Sequence, residues 1–275
     1  MRSFAGSLVI GLLTLLLVAF SPTSLEHARR GIACLERGDY DCAIWHFDRV
    51  ISLESSAEAY NNRGLAYARK GDLDRAIADF SRALELKPWL AEAYYNRGLA
   101  YAQKGDPDRA IADYDRALEL NPRYAGAYFN RGDAYYRKGD LNRAIADFNR
   151  ALVLNPRYAG AYFNRGNAYY QKGDPDRAIA DYDRALELNP RYAEAYNNRG
   201  NAYYRKGDLD RAIADYDRAL ELNPRLAEAY YNRGLAHLER GNVEAGVRDL
   251  QRFLELAPNH PEASQARERL RSLGR

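Results

Sequence analysis

A 34-residue sequence recurs along the chain, and this repetition restricts the possible folds more than any other feature. Its cleanest copy, AGAYFNRGNAYYQKGDPDRAIADYDRALELNPRY, occupies residues 159–192. Similar copies begin at Ala57, Ala91, Ala125, Ala159, Ala193 and Ala227. A fixed period of this length is typical of small units that stack side by side, each burying its apolar face against its neighbours.

Each copy contains the signals of two helices joined by a short turn. In residues 159–192, apolar side chains recur at helical spacings in both halves of the sequence. Between the halves, Gly173 suits the end of a first helix, Asp174 suits an N-cap, and Pro175 suits the first position of a second helix. Pro190 ends the second helix, because the residue before a proline avoids the α region. Each copy is therefore predicted to fold as a helix hairpin.

These repeats resemble the tetratricopeptide repeat (TPR) family, whose pattern places aromatic, small and proline residues at fixed positions of a hairpin. In the copy above, those positions hold Tyr162, Gly166, Tyr169, Ala178, Tyr182, Ala185 and Pro190. The resemblance extends over residues 24–260. It implies an all-α fold, a right-handed α-solenoid (superhelix) of stacked antiparallel hairpins, and a non-catalytic scaffold rather than an enzyme.

The repeat frame divides most of the chain into seven predicted repeats and a closing helix. Residues 24–56 form a degenerate first repeat, because they keep the glycines and alanines of the frame but lack the Asn-Pro end. Residues 57–260 contain six full repeats. Residues 261–275 carry one apolar stripe and are predicted to form a C-terminal capping helix.

Residues 1–23 have a different composition from the repeats. Arg2 precedes an apolar run of 13 residues, 8–20, which is short for a membrane span and typical of an export signal. We therefore predict an exported protein, periplasmic or extracellular, whose signal is cleaved. The alternative is an uncleaved segment that attaches the protein to the membrane through residues 8–20.

The charge distribution argues against a nucleic-acid partner. Charged residues make up 29% of the chain, yet the net charge is only +3, and both signs are interleaved in every repeat. A nucleic-acid-binding protein usually presents a basic stripe. The repeats also lack the lysines that the TPR family uses to clamp acidic chaperone C-termini, so we expect no chaperone-type carboxylate clamp.

Both cysteines and two of the four histidines lie in the degenerate first repeat: His27, Cys34, Cys42 and His46. Three interpretations remain open. Cys34 and Cys42 face each other across the predicted hairpin and could form a disulfide in an oxidising compartment. A zinc site is less favoured, because His27 and Cys34 lie two helical turns, about 10 Å, apart. The third interpretation, which the sequence favours, is a buried free Cys34 and an exposed Cys42.

We find no catalytic constellation, phosphate-binding loop or cofactor motif in the sequence, and we predict no metal or cofactor. The remaining feature is a surface. In TPR proteins the first helices line the concave side, and the sixth residue of each full repeat is an asparagine: Asn62, Asn96, Asn130, Asn164, Asn198 and Asn232. A row of amides could pair with the backbone of an extended peptide, or could bond to the adjacent repeat instead.

Aromatic side chains flank this row and are the second part of the predicted binding surface. They are Tyr95, Phe129, Tyr136, Phe163, Tyr170 and Tyr204. Because aromatic anchors concentrate binding energy, we place the centre of the groove within residues 125–201, where they are densest. Packing between repeats is the alternative role for these rings.

One departure from the family pattern predicts a structural feature. Arginine stands where the family usually has leucine, and aspartate occurs 16 residues later in each full repeat, as in Arg165 and Asp181. The two positions lie at similar heights in an antiparallel hairpin. We therefore predict a ladder of Arg–Asp pairs that weakens in the first repeat, where His46 replaces the aspartate.

Together these observations predict a non-catalytic scaffold that binds extended segments of a protein partner in the concave groove. Two alternatives remain. One is a scaffold that self-assembles into oligomers, and the other is an accessory subunit that uses the Cys/His cluster of the first repeat.

Overall fold

The computed structural model describes residues 21–274, and within this range the chain consists of fifteen α-helices with no strand. The helices are α1 (Pro22–Arg37), α2 (Tyr40–Leu53), α3 (Ala57–Lys70), α4 (Leu73–Leu86), α5 (Ala91–Gln103), α6 (Pro107–Leu120), α7 (Ala125–Arg137), α8 (Leu141–Leu154), α9 (Ala159–Gln171), α10 (Pro175–Leu188), α11 (Ala193–Arg205), α12 (Leu209–Leu222), α13 (Ala227–Glu239), α14 (Val243–Leu256) and α15 (Ala263–Ser272). None of these described helices is both long enough and apolar enough to cross a membrane. The apolar run 8–20, predicted as a signal or anchor, lies outside the described residues.

The helices belong to two compact units, an N-terminal unit (Met1–Asp140) and a C-terminal unit (Leu141–Arg275). Consecutive helices pair as hairpins: α1 with α2, α3 with α4 and α5 with α6 in the first unit, and α9 with α10, α11 with α12 and α13 with α14 in the second. The second helix of one hairpin packs on the first helix of the next, as α4 does on α5 and α10 on α11. The prediction of an all-α fold of stacked hairpins is confirmed, whereas the count of seven repeats stays a prediction.

The local signals in the sequence set the ends of the helices. After α9, Gly173 has a φ of 82°, a conformation that is cheap only for glycine. The carboxylate of Asp174 accepts a hydrogen bond from the backbone N–H of Arg177 at 3.0 Å, and Pro175 is the first residue of α10.

The first helix begins with a serine cap followed by a proline. Helix α1 starts at Pro22, two residues before the predicted start of the first repeat at residue 24. The side chain of Ser21 caps it by accepting from the backbone N–H of Ser24 at 3.2 Å. A proline at the first helical position, following a serine cap, is a favourable helix start.

In five of the described hairpins an aromatic ring packs against a glycine, whereas Leu250 takes this place against Gly234. A Cβ atom at Gly166 would lie 2.8 Å from Cε1 of Tyr182, so only glycine permits this approach of α9 and α10. Tyr182 is 1% exposed and Ala178 beside it is 0% exposed. This hairpin therefore has small residues where its two helices approach each other and a large ring in the gap between them.

The Arg–Asp ladder is present and extends both within and between repeats. Nε of Arg165 donates to Oδ2 of Asp181 at 2.8 Å, and Nη2 donates to Oδ1 at 2.5 Å. Nη1 donates to Oδ1 of Asn149 in the preceding repeat at 2.5 Å. The same two-pronged pairing joins Arg63 to Asp79, Arg97 to Asp113, Arg199 to Asp215 and Arg233 to Asp249. The ladder therefore fastens α9 to α10 and also fastens α9 to the hairpin before it.

The first repeat lacks this pairing, as the sequence predicted. Arg30 bonds to Glu26 on its own helix at 2.7 Å, and His46 occupies the place of the aspartate. Consequently α1 and α2 are held by other contacts, which include the aromatic ring of Phe47 against Gly31.

Within each unit, the first helices form the more closely spaced layer. In the C-terminal unit α9 contacts α11 and α11 contacts α13, whereas consecutive second helices approach each other less closely. In the N-terminal unit the same holds for α1, α3, α5 and α7. We call this closer layer of first helices the inner layer of each unit, and the predicted binding residues belong to its helices.

Candidate functional site

Asparagine side chains of the C-terminal unit form a chain of hydrogen bonds across α13, α11 and α9. Nδ2 of Asn232 donates to Oδ1 of Asn197 at 3.1 Å, and Nδ2 of Asn197 donates to Oδ1 of Asn198 at 3.1 Å. Nδ2 of Asn198 donates to Oδ1 of Asn167 at 2.9 Å, and this oxygen also accepts from the hydroxyl of Tyr182 at 2.8 Å. Because each amide orients the next, we call this chain the amide relay, and it links three successive repeats.

The asparagine row of the N-terminal unit also bonds between repeats. Asn96 is 3% exposed, and its Nδ2 donates to Oδ1 of Asn61 at 3.1 Å. Nδ2 of Asn130 donates to the hydroxyl of Tyr95 at 2.9 Å. Two further members of the row are half-buried: Asn62 and Asn164. Bonding to the adjacent repeat is therefore a role of Asn96, Asn130, Asn198 and Asn232, while contact with a ligand stays a prediction.

Tyr95 differs from the other aromatic residues of the predicted surface because it is buried. It is 3% exposed, and its ring centroid lies 4.5 Å from that of Tyr124 and 6.0 Å from that of Tyr114. Burial raises the pKa of Tyr95 to about 12. Tyr95 and Asn96 thus fill the interface between repeats and have almost no surface to offer a partner. The sequence could not reveal this, because their repeat positions are the same as those of less buried residues.

The other five aromatic residues are half-buried: Phe129, Tyr136, Phe163, Tyr170 and Tyr204. Phe129 and Tyr136 belong to the N-terminal unit, and the other three belong to the C-terminal unit. The ring centroid of Phe163 lies 4.6 Å from that of Tyr192 and 6.0 Å from that of Tyr182, so part of this ring serves packing.

A pocket on the inner layer of the C-terminal unit contains three of the predicted residues. Its volume is about 210 Å³, and it is lined by Tyr170, Asn201, Tyr204, Tyr216, Asn232 and Leu235. We call it the tyrosine pocket. Helices α9, α11 and α13 each supply at least one of these residues, and Tyr216 comes from α12. The pocket lies further toward the C-terminus than the groove centre predicted within residues 125–201.

Contacts behind the pocket hold its aromatic and amide side chains in place. The hydroxyl of Tyr216 donates to Oδ1 of Asn201 at 2.7 Å, and Asn232 is the first member of the amide relay. The guanidinium carbon of Arg205 lies 5.4 Å from the ring centroid of Tyr170, and Nη1 of Arg205 donates to the backbone carbonyl of Tyr170 at 3.0 Å. The lining is therefore organised by hydrogen bonds within the protein.

None of the side chains that line the tyrosine pocket is formally charged. The pKa of Tyr204 is raised to about 12 because burial disfavours the phenolate, and because Glu239 accepts a hydrogen bond from the hydroxyl. The pKa of Tyr216 is also raised, chiefly by burial. Both tyrosines are therefore neutral near pH 7, and the pocket offers aromatic faces, amides and hydroxyls to a ligand.

Sequence reasoning missed three residues of this pocket, Asn201, Tyr216 and Leu235. A signal for two of them was present in the repeats. Asn201 and Leu235 occupy the ninth position, which changes from repeat to repeat and holds Leu65, Leu99, Asp133, Asn167, Asn201 and Leu235. The change of residue at this position among nearly identical copies was the signal that distinguished these two residues.

The Cys/His residues of the first repeat are brought together by α1 and α2. Cys34 and Cys42 are joined by a disulfide, with Cα atoms 5.8 Å apart. One ring nitrogen of His46 lies within 4.8 Å of both sulfur atoms, and Nδ1 of His27 lies 3.0 Å from Nδ1 of His46. The ring of the half-exposed Trp45 covers both histidines, with centroid distances of 5.5 Å to His27 and 4.8 Å to His46.

Comparison with known proteins agrees with this architecture. Family models described as "Tetratricopeptide repeat" match residues 200–271, 163–227, 91–124 and 113–146, and one described as "TPR repeat" matches residues 66–105 and 132–173. Among solved structures, the crystal structure of MamA is 32% identical over 60% of this chain and 96% of that chain, with a TM-score of 0.56. This chain belongs to the TPR family.

Two further TPR-type structures resemble the chain. YrrB, whose structure is described as "a TPR protein with an unusual peptide-binding site", is 28% identical over 69% of this chain and 97% of that chain, with a TM-score of 0.58. In the APC/C hetero-tetramer Cut9–Hcn1, the match is 21% identical over 92% of this chain and 49% of that chain, with a TM-score of 0.71, and it shows the fold alone. The search of curated proteins gave no match. TPR proteins are generally non-catalytic scaffolds that bind protein or peptide partners.

Proposed function

We propose that this TPR protein binds an extended peptide segment of a partner protein along α9, α11 and α13, with one side chain of the peptide seated in the tyrosine pocket. The observation that carries the proposal is the pocket itself, which combines three tyrosines, two amides and a leucine on the inner layer. The description of YrrB as a peptide-binding TPR protein supports the same use of a related stack.

The size and chemistry of the pocket favour a single apolar or aromatic side chain. Its volume of about 210 Å³ is below the roughly 300–1,000 Å³ that is typical of sites for whole small molecules. Aromatic walls bury an apolar side chain, and the amides of Asn201 and Asn232 can hydrogen-bond the backbone on either side of it. The absence of formal charge from the lining disfavours an acidic anchor.

The proposal is tested by selecting ligands from a random peptide library displayed on phage, with the full chain as the target. Selected peptides are labelled with a fluorophore, and their affinity is measured by fluorescence anisotropy. Replacing Tyr204 with alanine is expected to weaken binding by at least about 30-fold, as removal of a buried aromatic anchor does. The matched control is Tyr101→Ala, which removes a half-buried tyrosine from α5 in the N-terminal unit.

Circular dichroism of each variant verifies that the helices are intact before binding is compared. An affinity that Tyr204→Ala leaves unchanged would contradict the site, and so would a loss that appears only with Tyr101→Ala. A peptide set dominated by acidic residues would contradict the proposed anchor chemistry.

We also propose that residues 1–23 direct the protein out of the cytoplasm. The support is the sequence alone, a single arginine followed by 13 apolar residues. N-terminal sequencing of the protein from its native membrane and soluble fractions tests this: a shortened N-terminus in the soluble fraction indicates a cleaved signal. An intact N-terminus at membranes indicates an anchor, and an intact N-terminus in the cytoplasm would contradict both.

A further inference from the structure

The first repeat contains three metal-ligating side chains within reach of one ion. Sγ of Cys34, Sγ of Cys42 and a ring nitrogen of His46 all lie within 4.8 Å of one another. Two thiolates and an imidazole are a ligand set that zinc prefers, at distances of about 2.3 Å to sulfur and 2.0–2.1 Å to nitrogen. Cys34 is 1% exposed and His46 is 8% exposed, whereas Cys42 is half-buried and provides access from solvent.

The geometry removes the objection raised from the sequence. His27 and Cys34 are two turns apart on α1, and the antiparallel helix α2 places His46 between them. A ring nitrogen of His46 lies within 4.8 Å of both sulfur atoms, and Nδ1 of His46 lies 3.0 Å from Nδ1 of His27. A histidine that binds a metal usually bonds through its second ring nitrogen to a neighbouring group, which fixes its orientation. His27 can supply that bond.

Two features favour the thiolate form of the cysteines that a metal requires. Nη2 of Arg37 lies 3.4 Å from Sγ of Cys34, and a cation beside a sulfur stabilises its negative charge. Cys42 lies in the first turn of α2, where the helix dipole favours a negative charge.

From this arrangement we propose that the reduced first repeat binds one Zn²⁺ through Cys34, Cys42 and His46, with His27 orienting His46 and solvent in the fourth position. The disulfide seen in the structure is the metal-free state of the same site. Metal binding and the disulfide exclude each other, because both need the same two sulfur atoms. The site is thus a redox-gated metal site at the N-terminal end of the repeats.

Reduction of the disulfide and binding of the metal are two separate steps. A dithiol reductant transfers two electrons and two protons to the Cys34–Cys42 disulfide, which yields two protein thiols and leaves the reductant as a disulfide. Zn²⁺ then displaces the two thiol protons, which pass to solvent, while the neutral His46 ring loses no proton. A more oxidising disulfide takes two electrons back from the two cysteines and is reduced to a dithiol. The Cys34–Cys42 disulfide then re-forms, and the ion is released.

The experiment uses the full chain in two forms, oxidised and reduced with a phosphine that is then removed under anaerobic conditions. Both forms are titrated with Co²⁺, which reports thiolate ligation through near-ultraviolet charge-transfer absorption and tetrahedral ligation through visible bands. We expect one equivalent of Co²⁺ to produce both signals in the reduced form only, and one equivalent of Zn²⁺ to remove them. Fluorescence of Trp45, which contacts both histidines, provides a second reading of binding at this place.

Variants separate ligands from the orienting residue. His46→Gln is expected to abolish the tetrahedral bands, and His27→Gln is expected to weaken binding by about 10–100-fold, as loss of an orienting partner does. His237→Gln is the matched control, because it removes a half-buried histidine from the C-terminal unit and should leave binding unchanged. Circular dichroism verifies folding, and Cys42→Ser provides an independent test if His46→Gln unfolds.

The proposal is overturned by any of three results. One is a reduced chain without thiolate–cobalt absorption, the second is equal binding by the oxidised chain, and the third is binding by His46→Gln or a folded Cys42→Ser variant as tight as that of the original chain.

Discussion

The pair formed by Arg165 and Asp181 gives the most direct test of what holds a hairpin together. Asp181 is 5% exposed, and the side chain of Arg165 is 19% exposed. Two hydrogen bonds of 2.8 and 2.5 Å join them. Burial disfavours the charged guanidinium, yet the hydrogen bonds and charge of Asp181 outweigh that effect and raise the pKa of Arg165. The pair is therefore largely desolvated, and each charge depends on the other.

Replacing Asp181 alone with leucine leaves the guanidinium without its main partner. Removing one member of a fully buried pair costs about 3–5 kcal/mol, and because Arg165 keeps Asn149 and some solvent, we expect about 2–4 kcal/mol. Replacing both residues with leucine removes the unpaired charge as well, so the double variant is expected to lose less than about 1 kcal/mol relative to the original chain. The double variant should thus be more stable than the single variant.

The free energies of unfolding are measured by urea titration, followed by far-ultraviolet circular dichroism and by tyrosine fluorescence. Coincident transitions by the two probes justify a two-state treatment. The matched control is the exposed pair of Arg184 and Glu187 on the same helix, whose replacement by leucines is expected to leave the transition unchanged. Small and additive effects of the two changes at Arg165 and Asp181 would refute the reasoning, because they would mean that the pair is solvated.

Three further predictions test the packing, a buried hydroxyl and the helix caps. Gly166→Ala is expected to destabilise the chain by about 1–3 kcal/mol, because its Cβ would meet the ring of Tyr182, and Tyr182→Leu in the same chain should recover part of the loss in urea titration. Tyr95→Phe should cost about 0.5–1.5 kcal/mol by the same assay, since it removes the acceptor of the 2.9 Å bond from Asn130. Lastly, hydrogen bonds from backbone amides and arginines lower the pKa of four N-cap aspartates in the folded state. These aspartates are Asp72, Asp106, Asp174 and Asp208. The stabilisation that they give is present above the unfolded pKa near 3.8 and is lost as pH falls through the lower folded pKa. Changing all four to asparagine should therefore flatten the acid branch of a pH–stability profile.

Local features of this chain follow from the sequence because short-range chemistry decides them. Gly173, Asp174 and Pro175 fix the turn between α9 and α10 through backbone conformation and capping, which involve only neighbouring residues. The pairing of Arg165 with Asp181 could also be predicted, because two residues at the same height of an antiparallel hairpin must meet. The repetition carries the same pairing to Arg63, Arg97, Arg199 and Arg233.

The surroundings of the predicted binding residues depend on how the hairpins stack. Asn130 bonds to Tyr95 whereas Asn232 bonds to Asn197, because the residue at the fifth position of the preceding repeat differs. In the same way, the stacking buries Tyr95 and leaves Tyr204 at a pocket, although both are aromatic residues of first helices.

The sequence by itself determined the period, the hairpin, the caps and the Arg–Asp pairs of this protein. Only the tertiary structure decided which amides join the relay, where the tyrosine pocket lies, and that His46 comes between His27 and the two cysteines. The physical reason is one of range. Helix ends and pairs within a hairpin depend on neighbours along the chain or at equal height, whereas pockets and side-chain clusters depend on the fit between helices that the repeat pattern does not specify.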